Sequence, residues 1–585
     1  MRSILGAFPY LCLWVGLGCG PPATEESPSA IPRKQVDELI DDSAADENHL
    51  TAYRAALPTD WFEDITASSQ VAFVHRNGRE GGRYLMIESF GGGVAMVDFD
   101  LDDRIDLFFT GGGEISADDP LRIRGRPCGL FRNLGELRFA ATGFAHDLSR
   151  PVDYSQGCAV ADFNVDGFPD LFVCCYGQNR LFCNQGDGTF VDETNAEVFP
   201  YNGWATAAAF GDLDQDGLPD LFLAHYADWT PELDVACVTE QQRDLCGPTS
   251  FGGTSCQFFR NSADGTFEEV SKDVGIVGGA HGLGVLVTDL NADGLIDFYV
   301  SCDALPNQLY IGQPNHTFHE AAVLAGVSSG EWGQPEGGMG LAAGDYNGDG
   351  AIDIFVTNFE NEDNALYQNT GQGSWVHHSA ACGLSGVSRR VVGFGTALCD
   401  FNADGWLDLF VLNGNPIYKT AETPYKQQPQ LFQNVNGQRF VDASTQAAPY
   451  FEEVHSGRGS ATGDLDNDGA HDLVIVLMNE PVRVLRNLQP PENSLTVQLH
   501  ARFGERDAVG AHVTCDLNGR TLARWVTKGT GFFSEADPRI IFPVAPDVGQ
   551  TEVIVHWPGR SQERFGQLAT RQIHHLVEGQ GQQVP

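Results

Sequence analysis

Positive charge is scarce in this 585-residue chain: 35 Lys and Arg stand against 79 Asp and Glu, a formal net charge of −44. Phosphate backbones repel such a surface, which excludes nucleic acid as a partner class. After the first twenty residues no stretch reaches the ~20 consecutive apolar residues of a membrane-spanning helix. There is no C-x-x-C pair, no H-E-x-x-H and no G-x-x-x-x-G-K-[ST], and no G-x-S-x-G elbow is expected, so no familiar catalytic signature is in view. What is abundant is apolar material and glycine. A hydrophobic share of 42% excludes disorder as the reason for the acidity, and 68 glycines, well above the usual ~7% share, point to many turns and an all-β chain.

Residues 1–19 join a charged start, Arg2, to a short apolar run from Ile4 to Leu17, the layout of a secretory signal. Gly16-Leu17-Gly18-Cys19 resembles a bacterial lipoprotein processing site, which implies lipidation of Cys19 and a lipid anchor in the bacterial envelope; ordinary secretion is the alternative. Residues 20–50 are rich in Pro, Ser, Ala, Asp and Glu without an apolar period and read as a flexible tether. Export permits disulfides. Cys237, Cys246 and Cys256 share one insertion and are local candidates for pairing, whereas Cys158, Cys174 and Cys399 lie in apolar runs and read as buried thiols.

One pattern, D-x-[DN]-x-D-G-x-x-D, occurs seven times, its copies 50 to 77 residues apart. The oxygen-bearing positions 1, 3, 5 and 9 are Asp98, Asp100, Asp102 and Asp106; Asp162, Asn164, Asp166 and Asp170; Asp212, Asp214, Asp216 and Asp220; Asp289, Asn291, Asp293 and Asp297; Asp345, Asn347, Asp349 and Asp353; Asp400, Asn402, Asp404 and Asp408; and Asp464, Asp466, Asp468 and Asp472. The first copy departs from the pattern, with Asp103 where glycine is expected. Each copy lies between a run of small and apolar residues, such as Gly92–Val97, and a β-type run, such as Leu171–Val173, which predicts a strand–loop–strand hairpin. A second hairpin follows at Leu181–Phe190, Phe258–Phe267, Leu366–Trp375 and Leu431–Phe440, with weaker copies at Leu130–Phe139 and Leu309–Phe318. Two hairpins make a four-stranded blade, so the repeats predict a seven-bladed β-propeller over residues 51–490. Trp61–Thr66 is similar to the outer strand that begins at Phe190. It is expected to complete the last blade, which otherwise stops at Asn487, and so to remove a free edge.

Oxygen ligands at alternating positions, a turn residue at position 6 and a returning Asp at position 9 suit Ca²⁺ better than Zn²⁺ or Mg²⁺. An EF-hand would place Glu at position 12, but here that position is Phe109, Val173, Leu223, Val300, Val356, Val411 and Ile475, all apolar. The loops are expected to hold up to seven Ca²⁺ ions that brace the hairpins, or that also bridge to a ligand.

These repeats resemble the FG-GAP/VCBS family, which implies an integrin-α-like propeller with Ca²⁺ in its loops. Beyond Pro490-Pro491, short strands at Leu495–Leu499, Ala511–Asp516, Thr521–Val526, Glu552–Trp557 and Gln572–Val577 read as a small β-sandwich or barrel over residues 491–585. The strings Asp507–Ala511, Lys528–Ser534, Asp537-Pro538-Arg539 and Val555–Gly559 resemble the ASPIC/UnbV domain. Together the two parts resemble the cartilage acidic protein family, which implies surface binding rather than a defined reaction.

Polar residues just past the post-loop strands cluster at one face of a ring. Tyr176, His225, Tyr226, Asp303, Asn358, Asn413 and Asn479 are therefore the candidate ligand-binding residues, with the insertion Asp228–Ser255 beside them. The expectation is an exported, lipid-anchored monomer that binds a protein or glycan through a Ca²⁺-stabilised propeller, with no catalytic residues assigned. A polysaccharide lyase or hydrolase using the propeller face is the alternative, and an envelope scaffold is the plainest reading.

Overall fold

The computed structural model describes residues 60–584, apart from short stretches at 120, 143–146, 200–202, 240, 263–265, 277, 372, 420–422, 518 and 560. The signal, Cys19 and the tether lie outside the described residues.

Seven antiparallel four-stranded sheets follow one another along the chain. In the second sheet Tyr154–Ala161, Asp170–Tyr176, Arg180–Asn184 and Phe190–Asp192 run from the inside outward, and the other six repeat that order. Each inner strand neighbours the inner strand of the next sheet, and the last, Gly457–Gly463, neighbours the first, Val94–Val97, so the ring closes as a propeller. The small residues ahead of each Asp loop are needed here because inner strands crowd round an axis. The core lies between the sheets, where runs such as Leu171, Val173 and Phe182 are buried against Val97 and Phe108 of the neighbouring sheet. The outer strand of the last sheet is Phe62–Asp64, paired antiparallel with Leu485–Asn487 as expected from its sequence. The first and last parts of the ring are thus stitched by hydrogen bonds rather than left as two edges.

The C-terminal strands form a three-stranded and a five-stranded sheet around Leu495, Val497, Val513, Phe542 and Val555. Three of these strands, Ile540–Pro543, Gln562–Ala569 and Gln582–Gln583, were not legible in the sequence pattern. Residues 57–585 form one compact unit. The two parts are joined by one of the strings that resemble the ASPIC/UnbV domain: Lys528–Asp537 leaves the sandwich and enters the centre of the ring. Lys528 and Val287 exchange two backbone hydrogen bonds (3.0 and 3.1 Å), and Gly531 and Leu341 exchange two more (2.7 and 2.8 Å). The Phe533 carbonyl accepts from Cys158 N, the Glu535 carbonyl accepts from Met96 N, and Asp537 N donates to the Thr462 carbonyl. The plug therefore satisfies backbone groups on five of the seven inner strands, which otherwise face an open channel. Gly531 has φ +89°, and a Cβ there would lie 2.4 Å from the Ser460 carbonyl oxygen, so the close approach requires glycine.

Candidate functional site

Every Asp loop joins an inner strand to the second strand, so all seven lie at the end of the ring that meets the sandwich. The backbone bonds to positions 1, 5 and 9 are the same throughout. In the seventh loop the Asp464 carboxylate accepts the N–H groups of Asp468 (3.0 Å) and Gly469 (2.8 Å), and Asp468 accepts Ala470 N (3.0 Å). Asp472, fully buried, accepts Leu465 N (3.0 Å) and Asn487 N (2.7 Å). These bonds fix the position-1 and position-9 carboxylates, and burial makes their crowding unfavourable. It pushes Asp98, Asp212 and Asp289 up to about 6 and Asp106 and Asp170 up to about 8.

Position 3 divides the loops into two kinds. Where it is Asn, its Nδ2 donates to the position-5 carboxylate, as in Asn164–Asp166 (3.1 Å), Asn291–Asp293 (3.2 Å), Asn347–Asp349 (2.8 Å) and Asn402–Asp404 (3.0 Å). Where it is Asp, an arginine from the third strand takes that place: Arg132 with Asp100 (2.5 Å), Arg260 with Asp214 (3.3 Å) and Arg486 with Asp466 (2.9 Å). The corresponding residues beside the four Asn loops are Cys183, Ile311, Gln368 and Gln433, none of them charged. In the three Asp loops the other position-3 oxygens, Oδ1 of Asp100, Asp214 and Asp466, are buried without a hydrogen-bond partner. Each of these loops gathers its carboxylates at positions 1, 3 and 9 with ligand oxygens within 4.8 Å of one another. An all-oxygen donor set with an orphaned buried oxygen fits a hard divalent cation of the Ca²⁺ type. In these three loops the residues that would hold it stand at positions 1, 3 and 9.

Asp103, the departure in the first loop, adopts φ +63° and accepts a 2.9 Å hydrogen bond from His575 Nε2 of the sandwich. The substitution thus carries a docking contact that glycine lacks. Two pairs of histidines are adjacent in the sequence, His377-His378 and His574-His575: His574 Nε2 lies 2.7 Å from the Ala569 carbonyl oxygen, and burial holds His377 and His378 below the usual imidazole range.

A second repeated residue escaped the sequence reading. The Asn in each L-F-x-N string bridges to the preceding sheet: Asn184 Nδ2 donates to the Phe99 carbonyl, Asn261 to Phe163, Asn434 to Tyr346 and Asn487 to Phe401, all at 2.8–2.9 Å. Asn133 closes the ring onto Leu465 at 2.9 Å, and Asn369 reaches Leu290 at 3.2 Å. The fourth sheet has Gly312 at that position and lacks the clasp. The signal was the invariant spacing of this Asn within the strings.

At the opposite end of the ring, the structure brings two of the seven candidate ligand-binding residues together. Tyr226 O–H donates to Asp303 Oδ2 at 2.7 Å, and both line a cavity of about 210 Å³. The walls are largely apolar and include Phe90, Met339, Phe359 and Phe394. Phe532 of the plug packs on Phe394 from beneath (5.0 Å between centroids). The other five are held elsewhere. Tyr176 packs on Trp229 (5.3 Å), and His225, buried and pushed down to about 4, meets Gln257 at 2.8 Å. Asn358 bonds Glu336, Asn413 bonds the Gln428 carbonyl, and Asn479 bonds Asn77, each at 2.8 Å. These five brace strand ends. The insertion does decorate this face: Cys237 and Cys246 are disulfide-bonded, Cys256 is a buried free thiol, and Asp244 accepts Tyr418 N (3.2 Å) and Lys419 N (2.7 Å) from the sixth sheet's loop. Cys158, Cys174 and Cys399 are buried free thiols, as their apolar runs suggested.

The string Gly326-Val327-Ser328-Ser329-Gly330 does match G-x-S-x-G, contrary to expectation. It follows the four-residue helix Ala322–Ala325 rather than a strand, so it lacks the strand–turn–helix setting of a nucleophile elbow.

The FG-GAP-like repeat family matches this chain at residues 162–223, 289–356, 345–411 and 400–475, and the ASPIC and UnbV family matches residues 503–583. Cartilage acidic protein 1 of Xenopus tropicalis is 24% identical over 365 residues, 52% of this chain and 55% of that protein. The Homo sapiens protein is 27% identical over 291 residues, 41% and 43% of the two chains. The chain therefore matches about half the length of these relatives. Among solved structures, an Agrocybe aegerita lectin that recognises non-reducing terminal N-acetylglucosamine overlaps 60% of this chain and 79% of its own at 16% identity and a TM-score of 0.38. The BBS1N–ARL6DN complex overlaps 73% and 98% at 10% identity and a TM-score of 0.39. These are partial superpositions, and the fold stands on the strand pairing above. The chain carries FG-GAP-like repeats followed by a C-terminal stretch that matches the ASPIC and UnbV family, and over about half its length it is similar to cartilage acidic protein 1.

Proposed function

We propose that this propeller is a Ca²⁺-braced binding protein that works outside the cytoplasm, held to the envelope through a lipid on Cys19, and engages a protein or glycan. The observation that carries the Ca²⁺ part is the set of buried, unpartnered oxygens of Asp100, Asp214 and Asp466, each facing two further carboxylates. Bound Ca²⁺ supplies the positive charge that keeps these buried carboxylates ionised and drawn together. The chain's own residues do the rest. Position-1 and position-9 carboxylates, fixed by backbone N–H groups, pin the loop to both strands of a hairpin. The Asn clasps carry that rigidity to the neighbouring sheet, and the plug carries it across the axis. The far-face cavity is then a concave, mostly apolar site on a stiff frame, the usual form of a recognition site. A glycan and protein array probed with the full chain, with and without Ca²⁺, tests the reading. Specific capture that weakens in EDTA supports it, and no specific capture in either condition overturns it.

A further inference from the structure

The far-face cavity has a charge pattern of its own. Aromatic rings of Phe90, Tyr226, Phe359 and Phe394 contribute to its walls, with the Arg458 guanidinium stacked on Phe394 (4.1 Å), and among the described residues the charged ones that line it are Asp303 and Glu362. The two carboxylates converge on the bare α-carbon of Gly337. A Cβ there would lie 3.3 Å from Asp303 Oδ1 and 3.5 Å from Glu362 Oε2. Each carboxylate is oriented by neighbours on one oxygen: Asp303 Oδ2 accepts from Tyr226 O–H, and Glu362 Oε2 accepts from Gly337 N (2.8 Å) and Phe359 N (3.2 Å). Neither faces a lysine or arginine among the lining residues.

We infer that this pocket takes an organic cation, an ammonium or guanidinium group carried on an apolar stem. The inference rests on the binding-protein reading and gives its ligand a chemical class. Two carboxylates in an apolar enclosure raise the free energy of the empty site, since buried anions without a counter-charge are unfavourable. Burial accordingly pushes Asp303 up to about 6 and raises Glu362 as well. A cation between them removes that cost, and aromatic faces attract it further. A neutral sugar needs several donors and acceptors in a ring around it, and the walls here are largely apolar. About 210 Å³ lies below the usual range for a whole small-molecule ligand, so the fit is one cationic side chain or one small amine. Charge complementarity extends beyond the pocket, since the net charge of −44 draws cations toward the whole surface.

The test is ligand-observed NMR on the Ca²⁺-loaded full chain with n-butylammonium, n-butylguanidinium and the neutral 1-pentanol. The account expects the two cations to bind and pentanol to bind at least tenfold more weakly. Asp303→Asn is expected to weaken the cations at least tenfold without changing pentanol. Glu362→Gln gives the same reading should Asp303→Asn fail to fold. Equal binding of pentanol, or cation binding that survives both carboxylate variants, overturns the inference. Short peptides with a central Lys or Arg, compared with Gln versions, separate the sources. Peptides that bind more tightly than the amines assign the pocket to a basic side chain of a protein partner, and equal affinities assign it to a free amine. An array ligand that butylammonium does not displace would leave the binding reading standing and overturn this one. Butylammonium binding lost in Asp303→Asn, with no array ligand, would do the reverse.

Discussion

The guanidinium of Arg486 lies 2.9 Å from Asp466 Oδ2, and the same pairing joins Arg132 to Asp100 and Arg260 to Asp214. Arginine appears beside a loop when position 3 is Asp and is absent when it is Asn. The pair therefore balances charge: the extra carboxylate comes with a fixed counter-cation that competes with Ca²⁺ for it. Arg486→Gln is expected to raise Ca²⁺ affinity at the seventh loop several-fold, and Asp466→Asn to lower it. The double change, which reproduces the Asn402 and Gln433 arrangement of the sixth loop, should return it near the starting value. Site-resolved Ca²⁺ occupancy in crystals equilibrated at buffered free Ca²⁺ checks this, with the four Asn loops as internal controls.

The Asn clasps make a stability prediction. Asn434 Nδ2 serves two buried carbonyls, those of Tyr346 (2.8 Å) and Leu407 (3.0 Å). Asn434→Ala leaves both without that donor and is expected to destabilise the chain by about 2–3 kcal/mol. Asn434→Asp is expected to be at least as damaging, since it places a carboxylate against two carbonyls. Denaturant unfolding of the Ca²⁺-loaded variants measures both.

The plug makes another. Phe532 is fully buried between Phe394 and Phe533. Phe532→Ala is expected to cost about 3–5 kcal/mol. Amide exchange should localise the loss to the inner strands at Met96, Cys158 and Leu341, whose N–H groups the plug satisfies.

Glu88 makes the prediction for pH. It is 1% exposed, accepts Leu85 N at 2.8 Å, and burial pushes it up to about 7 from an ordinary 4.5. The folded state thus holds a proton that the unfolded chain releases earlier. The group's contribution is fully present below about 4.5 and is lost as pH rises through about 7. Glu88→Gln removes this titration. The stability of the variant relative to the parent should therefore rise by up to about 3 kcal/mol between pH 4.5 and 8. Parallel unfolding curves across that range measure the difference.

The strands, the Asp loops and the closing role of Phe62–Asp64 were legible because each rests on a local pattern repeated along the chain. What the pattern did not carry is pairing at long range. Lys528–Ser534 reads as an ASPIC/UnbV string with no partner in view, and its backbone bonds go to Val287 and Leu341, roughly two hundred residues away. The Asn of L-F-x-N reads as a turn residue because its acceptor lies in the preceding sheet. Candidate ligand residues were chosen by their position after a strand. That rule gathers residues at one face, the Tyr226–Asp303 pair among them, but it does not separate a cavity wall from the strand-end braces made by Asn358, Asn413 and Asn479.

Calorimetry of the full chain with Ca²⁺ and after EDTA, with a count of bound ions, tests the central claim most directly. At Ca²⁺ one hundred times Kd each filled site adds about 2.7 kcal/mol. The account predicts bound Ca²⁺, a melting temperature that falls sharply in EDTA, and its recovery when Ca²⁺ is restored. An unchanged melting temperature with no bound ion would contradict it.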